Sequence, residues 1–210
     1  MNKNVIIIEH PLVHHKIALL RDRRTTTKEF REVVGELATL VGYEALHDLP
    51  LEPVEIKTPI ETVNEMMIRD DSVAVIPILR SGLCMVDGIL KLLPNAKVGH
   101  IGLYSDRDME RRVEYYTKLP KNMEGKQSII LDPIIATGES ACSAIDIIKQ
   151  SGCKHIKFVS LLASPAGLER IISKHPDVLI YLGAKERELD ADCFLVPGVG
   201  DAGDRMFGTK

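Results

Sequence analysis

The chain has 210 residues, is 45% hydrophobic but only 4% aromatic, and carries a formal net charge of −3. This length suits one large domain with an aliphatic core, and the slight negative charge gives no global attraction to nucleic acid or to an anionic membrane. Apolar runs such as NVIIIE fall far short of the ~20 residues that span a bilayer, so we expect neither a nucleic-acid partner nor a membrane partner.

The N-terminal sequence and the cysteines indicate where the protein works. The segment MNKNVIIIEHPLVHH has an early acid and two histidines where a secretory signal has an uninterrupted apolar region. The four cysteines form no C-x-x-C pair, which disfavours both a zinc site and a disulfide framework. With no internal repeat or Ser/Gly linker, we expect one domain over residues 1–210, located in the cytoplasm.

The predicted elements alternate between helix and strand. Apolar residues at helical spacing predict an amphipathic helix over residues 27–48, with hydroxyl caps before it and Pro50 after it. Short aliphatic runs without polar alternation are typical of strands buried on both faces. Five such runs occur, at 73–79, 97–103, 127–131, 156–162 and 178–182. Helical patterns follow the first, third and fourth runs, so we predict an open α/β fold with a mainly parallel sheet.

Two regions depart from this alternation. Residues 104–120 are highly charged and then β-prone, which predicts an exposed, mobile β-hairpin beside the site. In the helical pattern after the fourth strand, Ser164 is the predicted N-cap and Pro165 the first helical residue.

The loop after the third predicted strand, DPIIATGES, has the composition of a binding loop. In open α/β sheets, ligands bind outside the carboxyl ends of the strands, where this loop lies. Ala136, Thr137 and Gly138 are small enough for a phosphate to approach the backbone, and the next helix offers free N–H groups. Asp132 suits the diol of a ribose, so ribose 5-phosphate is the implied ligand. The alternative is that these are only turn residues and helix caps.

Two further segments carry the chemistry of a site. Arg80, Ser81 and Gly82 follow the first predicted strand at the same sheet edge, and an arginine fork suits phosphate oxygens. An arginine lying along the surface beside a helix start is the alternative. The C-terminal FLVPGVGDAGDRMFGTK carries an apolar run into a Gly-rich turn, so we expect it to fold back over the molecule. No G-x-x-x-x-G-K-[ST] or G-x-G-x-x-G motif is present, which argues against a nucleotide triphosphatase or a dinucleotide binder.

Together these segments closely resemble the uracil phosphoribosyltransferase family of the type I phosphoribosyltransferase superfamily. The resemblance runs from HPLVHHKIALLRD through PILRSGL, YYTKLP and LDPIIATGESA to VPGVGDAGDRMFGT, nearly end to end. It implies a type I phosphoribosyltransferase fold, an open mainly parallel five-stranded sheet flanked by helices, with a mobile β-hairpin and a C-terminal base-binding segment. The implied reaction converts uracil and 5-phosphoribosyl 1-diphosphate (PRPP) to UMP and diphosphate, with Mg²⁺ bound through PRPP rather than directly by the protein.

The resemblance also implies site residues. Arg80 would hold the diphosphate, Asp201 would face PRPP and its hydrated metal, and these two are the implied catalytic residues. Leu195, Gly200, Asp201 and Ala202 would hold uracil. The PRPP-binding loop would comprise Asp132, Pro133, Ile134, Ile135, Ala136, Thr137, Gly138, Glu139 and Ser140.

The chain departs from the family pattern at four places. Ser105 follows Tyr104 where the family usually has Arg, with Arg107 the nearest substitute; Arg112 replaces a Pro, and Glu139 a Gly. At residues 81–84, SGLC replaces the more usual AGLG. The resemblance further implies a homo-oligomer, dimer or tetramer, and GTP activation in some members. Two alternatives stay open: a phosphoribosyltransferase for another base, and a regulatory RNA-binding protein on the same fold.

Overall fold

A computed structural model describes the backbone of residues 3–106 and 111–209 and the side chains of residues 3–104 and 114–209. The described helices are α1 Pro11–Arg21, α2 Thr27–Ala45, α3 Leu83–Leu90, α4 Glu139–Gln150, α5 Pro165–Lys174 and α6 Ala202–Phe207. The described strands are β1 Val5–Ile7, β2 Leu51–Lys57, β3 Thr62–Ile68, β4 Val73–Leu79, β5 Lys97–Val98, β6 His100–Asp106, β7 Arg111–Lys118, β8 Gln127–Leu131, β9 Ile134–Ile135, β10 His155–Ala163, β11 Leu179–Lys185, β12 Glu188–Leu189 and β13 Leu195–Val196.

The main sheet has the order β1-β11-β10-β8-β4-β6-β7, with β5 beside β4 and β9 beside β10. All pairings in it are parallel except β6 with β7. The mainly parallel α/β prediction is therefore confirmed, and each of the five predicted runs lies in this sheet. The sheet extends further than those five, because β1 adds a parallel edge and β7 an antiparallel one.

The central strands are apolar without interruption because they pack against helices on both faces. In β4, Val73 and Val75 join the core beneath α1, α2 and α3, whereas Ala74 and Ile76 join the core beneath α4 and α5. Successive side chains of a strand point to opposite faces of the sheet. A strand between two cores therefore needs apolar residues at every position rather than at every second one.

The predicted helix starts follow their local chemistry. Thr26 and Glu29 form a reciprocal capping box at the start of α2. Ser164 accepts the N–H of Gly167 with Pro165 in the first turn of α5, as predicted. Helix α2 ends at Ala45 rather than at the predicted residue 48; there the Lys157 ammonium donates to the Ala45 carbonyl at 2.7 Å and pairs with Asp48.

Strands β2 and β3 form a two-stranded antiparallel hairpin of their own, which sequence reasoning did not assign. Both strands are largely exposed along their length, so neither carries the alternating pattern of a strand with one buried face. Helix α1 and strand β1 were likewise not predicted. Among the described helices, none is both long and apolar enough to cross a membrane.

Candidate functional site

The site lies at the carboxyl ends of the neighbouring strands β4 and β8. Strand β4 leads into Arg80 and Ser81, and β8 leads into Asp132. The Ser81 hydroxyl donates to Asp132 Oδ1 at 2.8 Å, and Asp132 is 9% exposed. The two residues lie 51 positions apart in sequence, and the bond joins the two segments that were predicted to meet at one edge of the sheet.

The loop after β8 is held along its length by strand β10. Its residues 134–135 form the short strand β9, which pairs with Leu162 and Ala163. The Pro133 carbonyl accepts two backbone N–H groups, from Leu161 and Leu162, at 3.1 and 3.0 Å. A loop with this many backbone hydrogen bonds presents its remaining N–H groups in one conformation.

Two glycines fix the end of this loop against helix α5. Gly138 has φ +78°, in the left-handed region, and a Cβ added there would lie 2.6 Å from the Gly167 carbonyl oxygen. A Cβ added at Gly167 would lie 2.4 Å from the Ala136 carbonyl oxygen. That same carbonyl accepts the Ser164 hydroxyl at 2.5 Å. Backbone contact between the loop and α5, together with the positive φ, therefore requires glycine at position 138 independently of any phosphate.

A cavity of about 610 Å³, here called the loop cavity, opens over this segment. Its lining includes Thr137, Ser140 and the start of α4, whose N-cap Gly138 makes no side-chain hydrogen bond to the helix. The first-turn N–H groups therefore lack a side-chain cap and point toward the cavity end of the helix. Of the nine predicted loop residues, all except the buried Pro133 line this cavity.

Glu139, the first residue of α4, lines the loop cavity and pairs with a cation from the next helix. Arg170 Nη1 of α5 lies 2.5 Å from Glu139 Oε1, and both side chains are about half exposed. No local sequence pattern identifies this partner, because it lies 31 positions away. The acid at the helix N-terminus is thereby neutralised by a neighbouring guanidinium.

A second wall of the site comes from the turn between β12 and β13. Asp190 Oδ1 accepts the N–H groups of Asp192 and Phe194 at 2.9 and 2.8 Å and thereby shapes the turn. Cys193 in this turn has φ +64°, which is uncommon for a residue other than glycine. Sequence reasoning missed residues 192–194 as site residues, although Asp190 carried a recognisable turn signal.

A cavity of about 240 Å³, here called the C-terminal cavity, lies beside the loop cavity. It is lined by all four predicted base-binding residues, Leu195, Gly200, Asp201 and Ala202. The two cavities share five lining residues, which are Asp132, Ile134, Ala136, Cys193 and Asp201. The predicted loop and the predicted C-terminal segment therefore meet in one continuous depression.

Local geometry explains the residue types in residues 195–203, the segment that lines the C-terminal cavity and is here called the C-terminal wall. Gly200 has φ +73° with open space where a Cβ would be, so its backbone conformation rather than crowding requires glycine. Asp201 is the N-cap of α6, and its Oδ1 accepts the N–H of Asp204 at 2.9 Å. The segment folds back over α2, as expected, with Met206 fully buried in the core that α2 also contributes to.

Arg80 is placed differently from the other predicted residues. Its exposed guanidinium lies 5.5 Å from the centroid of the Phe207 ring in α6, and Arg80 lines neither cavity. Gly82 packs tightly against the protein, since an added Cβ would lie 2.3 Å from the Leu131 carbonyl oxygen. The absence of a side chain at Gly82 therefore allows close packing against the neighbouring strand β8.

Part of the predicted hairpin lies outside the residues that the structure describes. Strands β6 and β7 form an antiparallel hairpin that begins at His100, within the predicted strand 97–103, rather than at residue 104. Arg107 and the rest of residues 107–110 lie outside the described residues, as do the side chains of Ser105 and Arg112. Within the described part of the chain, no group of three or more His, Cys, Asp or Glu side chains could hold a metal ion.

Comparison with known proteins gives consistent results. The family model for uracil phosphoribosyltransferase matches residues 7–209. A curated uracil phosphoribosyltransferase from Geobacillus kaustophilus is 53% identical over 206 residues, covering 98% of this chain and 99% of that protein.

Solved structures agree on the architecture. The structure of a protein from Aquifex aeolicus superimposes with a TM-score of 0.94 at 34% identity, covering 98% of this chain and 99% of that one. A hypoxanthine-guanine phosphoribosyltransferase from Bacillus anthracis has a TM-score of 0.52 at 17% identity, covering 76% of this chain and 80% of its own, and this likeness concerns the fold alone.

Proposed function

Because the chain belongs to the uracil phosphoribosyltransferase family, we propose how its site transfers the 5-phosphoribosyl group from PRPP to uracil, giving UMP and diphosphate. One observation carries the proposal: the loop cavity and the C-terminal cavity adjoin and share Asp132 and Asp201. A donor and an acceptor must meet within bonding distance, and two adjoining subsites allow this.

We assign the 5′-phosphate to the start of α4. The uncapped first-turn N–H groups and the positive end of the helix dipole favour a phosphate there, and Thr137 and Ser140 add hydroxyl donors. Asp132 would accept hydrogen bonds from the ribose hydroxyls, with the Ser81 hydroxyl holding its carboxylate at 2.8 Å. PRPP would then lie along the loop cavity with its anomeric carbon toward the shared residues.

We assign uracil to the C-terminal cavity. Main-chain groups of Leu195, Gly200 and Ala202 would match the polar edge of the base and hold the attacking nitrogen toward the anomeric carbon. A base with a different edge would leave buried polar groups unpaired, which is a large source of discrimination.

Magnesium is proposed to enter with PRPP. The carboxylates of Asp132 and Asp201 line the shared part of the cavities, and Mg²⁺ prefers oxygen ligands while keeping several waters and binding substrate phosphates. The residues present therefore fit a hydrated ion held mainly through the diphosphate. When bound, the ion supplies charge neutralisation to the diphosphate.

The reaction breaks the bond between the anomeric carbon and the diphosphate oxygen, and the electron pair leaves with diphosphate. Uracil nitrogen forms the new bond to that carbon and releases its proton. Stabilisation is needed most where charge develops on the leaving group. Arg80, at the tip of β4, would turn from the Phe207 ring to the diphosphate when PRPP is bound.

The β2–β3 hairpin supports the proposal of a homo-oligomer. Ile60 at its tip is 94% exposed, and Leu51 and Met66 are more than half exposed. An isolated two-stranded hairpin is marginally stable in water, and large exposed apolar side chains on it favour association. The measurement is the mass in solution, by light scattering, of the wild type and of Ile60→Lys combined with Met66→Lys.

UMP formation from uracil and PRPP, measured with and without Mg²⁺, tests the function. We expect turnover that requires both substrates and the ion, and little with cytosine, adenine or guanine in place of uracil. Activity that prefers another base would overturn the substrate assignment. Adding GTP to the same assay tests the activation that the resemblance implies for some members.

A further inference from the structure

Arg205, in the last turn of α6, anchors the C-terminal wall through three backbone carbonyls. Its Nη1 donates to Leu20 at 2.5 Å and to Val199 at 3.1 Å, and its Nη2 donates to Asp22 at 2.7 Å. The guanidinium also stacks 4.4 Å from the centroid of the Phe30 ring in α2. These contacts hold the guanidinium against α1 and α2, two elements that do not line the C-terminal cavity.

One of these bonds constrains the cavity directly. The Val199 carbonyl and the Gly200 N–H belong to one planar peptide unit, and in a trans peptide they point in opposite directions. Because the Val199 carbonyl points toward Arg205, the Gly200 N–H points away from Arg205. Gly200 lines the C-terminal cavity with φ +73°, and because glycine has no Cβ its backbone is intrinsically free to adopt several conformations. A freely rotating peptide at this position needs an external constraint.

The preceding peptide has a similar constraint from α1. Arg21 Nη1 donates to the Gly198 carbonyl at 3.2 Å and pairs with Glu186 Oε1 at 2.7 Å. Glu186 is only 4% exposed, so this pair has a defined, buried anchor. Two successive peptide units of the Gly-rich turn are thus oriented by guanidinium groups.

We propose that Arg205 is a positioning residue for the base: it orients the Val199–Gly200 peptide so that the Gly200 N–H faces uracil. The inference rests on the proposed function and assigns to Arg205 a role through the backbone rather than a contact with substrate. Arginine suits this role better than lysine, because its planar fork reaches carbonyls in several directions while its face stacks on an aromatic ring.

The experiment compares Arg205→Met and Arg205→Lys with the wild type in steady-state kinetics, varying uracil and PRPP separately. Loss of one oriented hydrogen bond to the base corresponds to about tenfold in affinity, or ~1.4 kcal/mol. We expect Arg205→Met to raise the KM for uracil about tenfold while changing the KM for PRPP less than twofold. Arg205→Lys should fall between wild type and Arg205→Met, and the preference for uracil over cytosine should weaken in the same order.

A matched control separates positioning from stability. Lys157→Met also removes a cation that donates to a helix carbonyl, but at the amino end of the sheet, and it should lower the melting temperature without changing either KM. A folded Arg205→Met with an unchanged uracil KM, or with both KM values raised in proportion, would overturn the inference. If Arg205→Met does not fold, the inference is tested on Arg205→Lys, again by whether the KM for uracil rises while the KM for PRPP does not. A wild type that makes no UMP overturns the proposed function itself, whereas an active wild type with unaltered variants overturns only this inference.

Discussion

The Glu139–Arg170 pair at the start of α4 gives a prediction in which the two partners have opposite effects on PRPP binding. Glu139 lines the loop cavity at the proposed 5′-phosphate subsite, and Arg170 Nη1 lies 2.5 Å from its carboxylate. Considered alone, the acid would repel a phosphate at the same helix end. With its partner in place, we expect most of that repulsion to be offset.

The magnitude follows from Coulomb's law. For a phosphate ~8 Å from the Glu139 carboxylate, an effective dielectric constant near 20 gives ~2 kcal/mol per unit charge. Salt screening over a Debye length of ~8 Å and the half-exposed side chains reduce this to ~1 kcal/mol, or about fivefold in affinity. The Arg170 guanidinium, in contact with that carboxylate, attracts the phosphate by a similar amount, so the two contributions nearly cancel in the wild type.

The assay is PRPP binding by calorimetry at about 0.15 M and about 1 M salt, where the Debye length falls to ~3 Å. Glu139→Gln should tighten binding about fivefold at the lower salt, Arg170→Gln should weaken it about fivefold, and the double variant should bind like the wild type. All differences should vanish at the higher salt. The matched control is Lys174→Gln, which breaks the pair between Lys174 and Asp146 that also joins α5 to α4, and it should leave the affinity unchanged.

Equal affinities of the two single variants at the lower salt would refute the electrostatic reasoning. Shifts in the same direction would do so as well, since a loss of local structure affects both variants alike. An effect that persists at 1 M salt would point to a change in loop conformation rather than to charge.

Three other substitutions test the reaction and the stability of the fold. Arg80→Ala should lower kcat/KM by ~2 decades, because a charge-assisted contact to departing diphosphate is worth ~3 kcal/mol, and near-normal turnover of the folded variant would remove Arg80 from the mechanism. Lys157→Met should lower the free energy of unfolding by about 2 kcal/mol, because the Lys157 side chain is 4% exposed and pairs with the half-exposed Asp48. Urea titration measures this, and an unchanged unfolding midpoint would contradict it. Burial, with Lys149 adding to it, lowers the pKa of His175 from its ordinary 6.5, so the unfolded chain binds more protons and stability falls as pH drops below that value. His175→Gln should flatten the fall in melting temperature between about pH 6.5 and pH 5, and an equally steep fall would exclude His175 as its source.

Local sequence determined the elements that frame the site. Strands β4 and β8 were predictable because packing on both faces requires unbroken aliphatic runs, and their bounds agree with the predicted runs. The start of α5 was predictable because Ser164 and Pro165 satisfy the helix end within a few residues. The binding loop was recognisable because it directly follows a predicted parallel strand, and ligands bind at the carboxyl ends of such strands.

Only the tertiary structure decided which distant groups complete the site. Residues 192–194 join the cavities, Arg170 pairs with Glu139, and Arg205 orients the Gly200 peptide, all through contacts between segments far apart in sequence. The β2–β3 hairpin escaped prediction because both of its faces are exposed in the single chain, so no periodicity marks it. Periodicity and capping act over a few residues and are therefore written in local sequence, whereas ion pairs and oriented peptides depend on where the folded sheet and helices bring distant residues together.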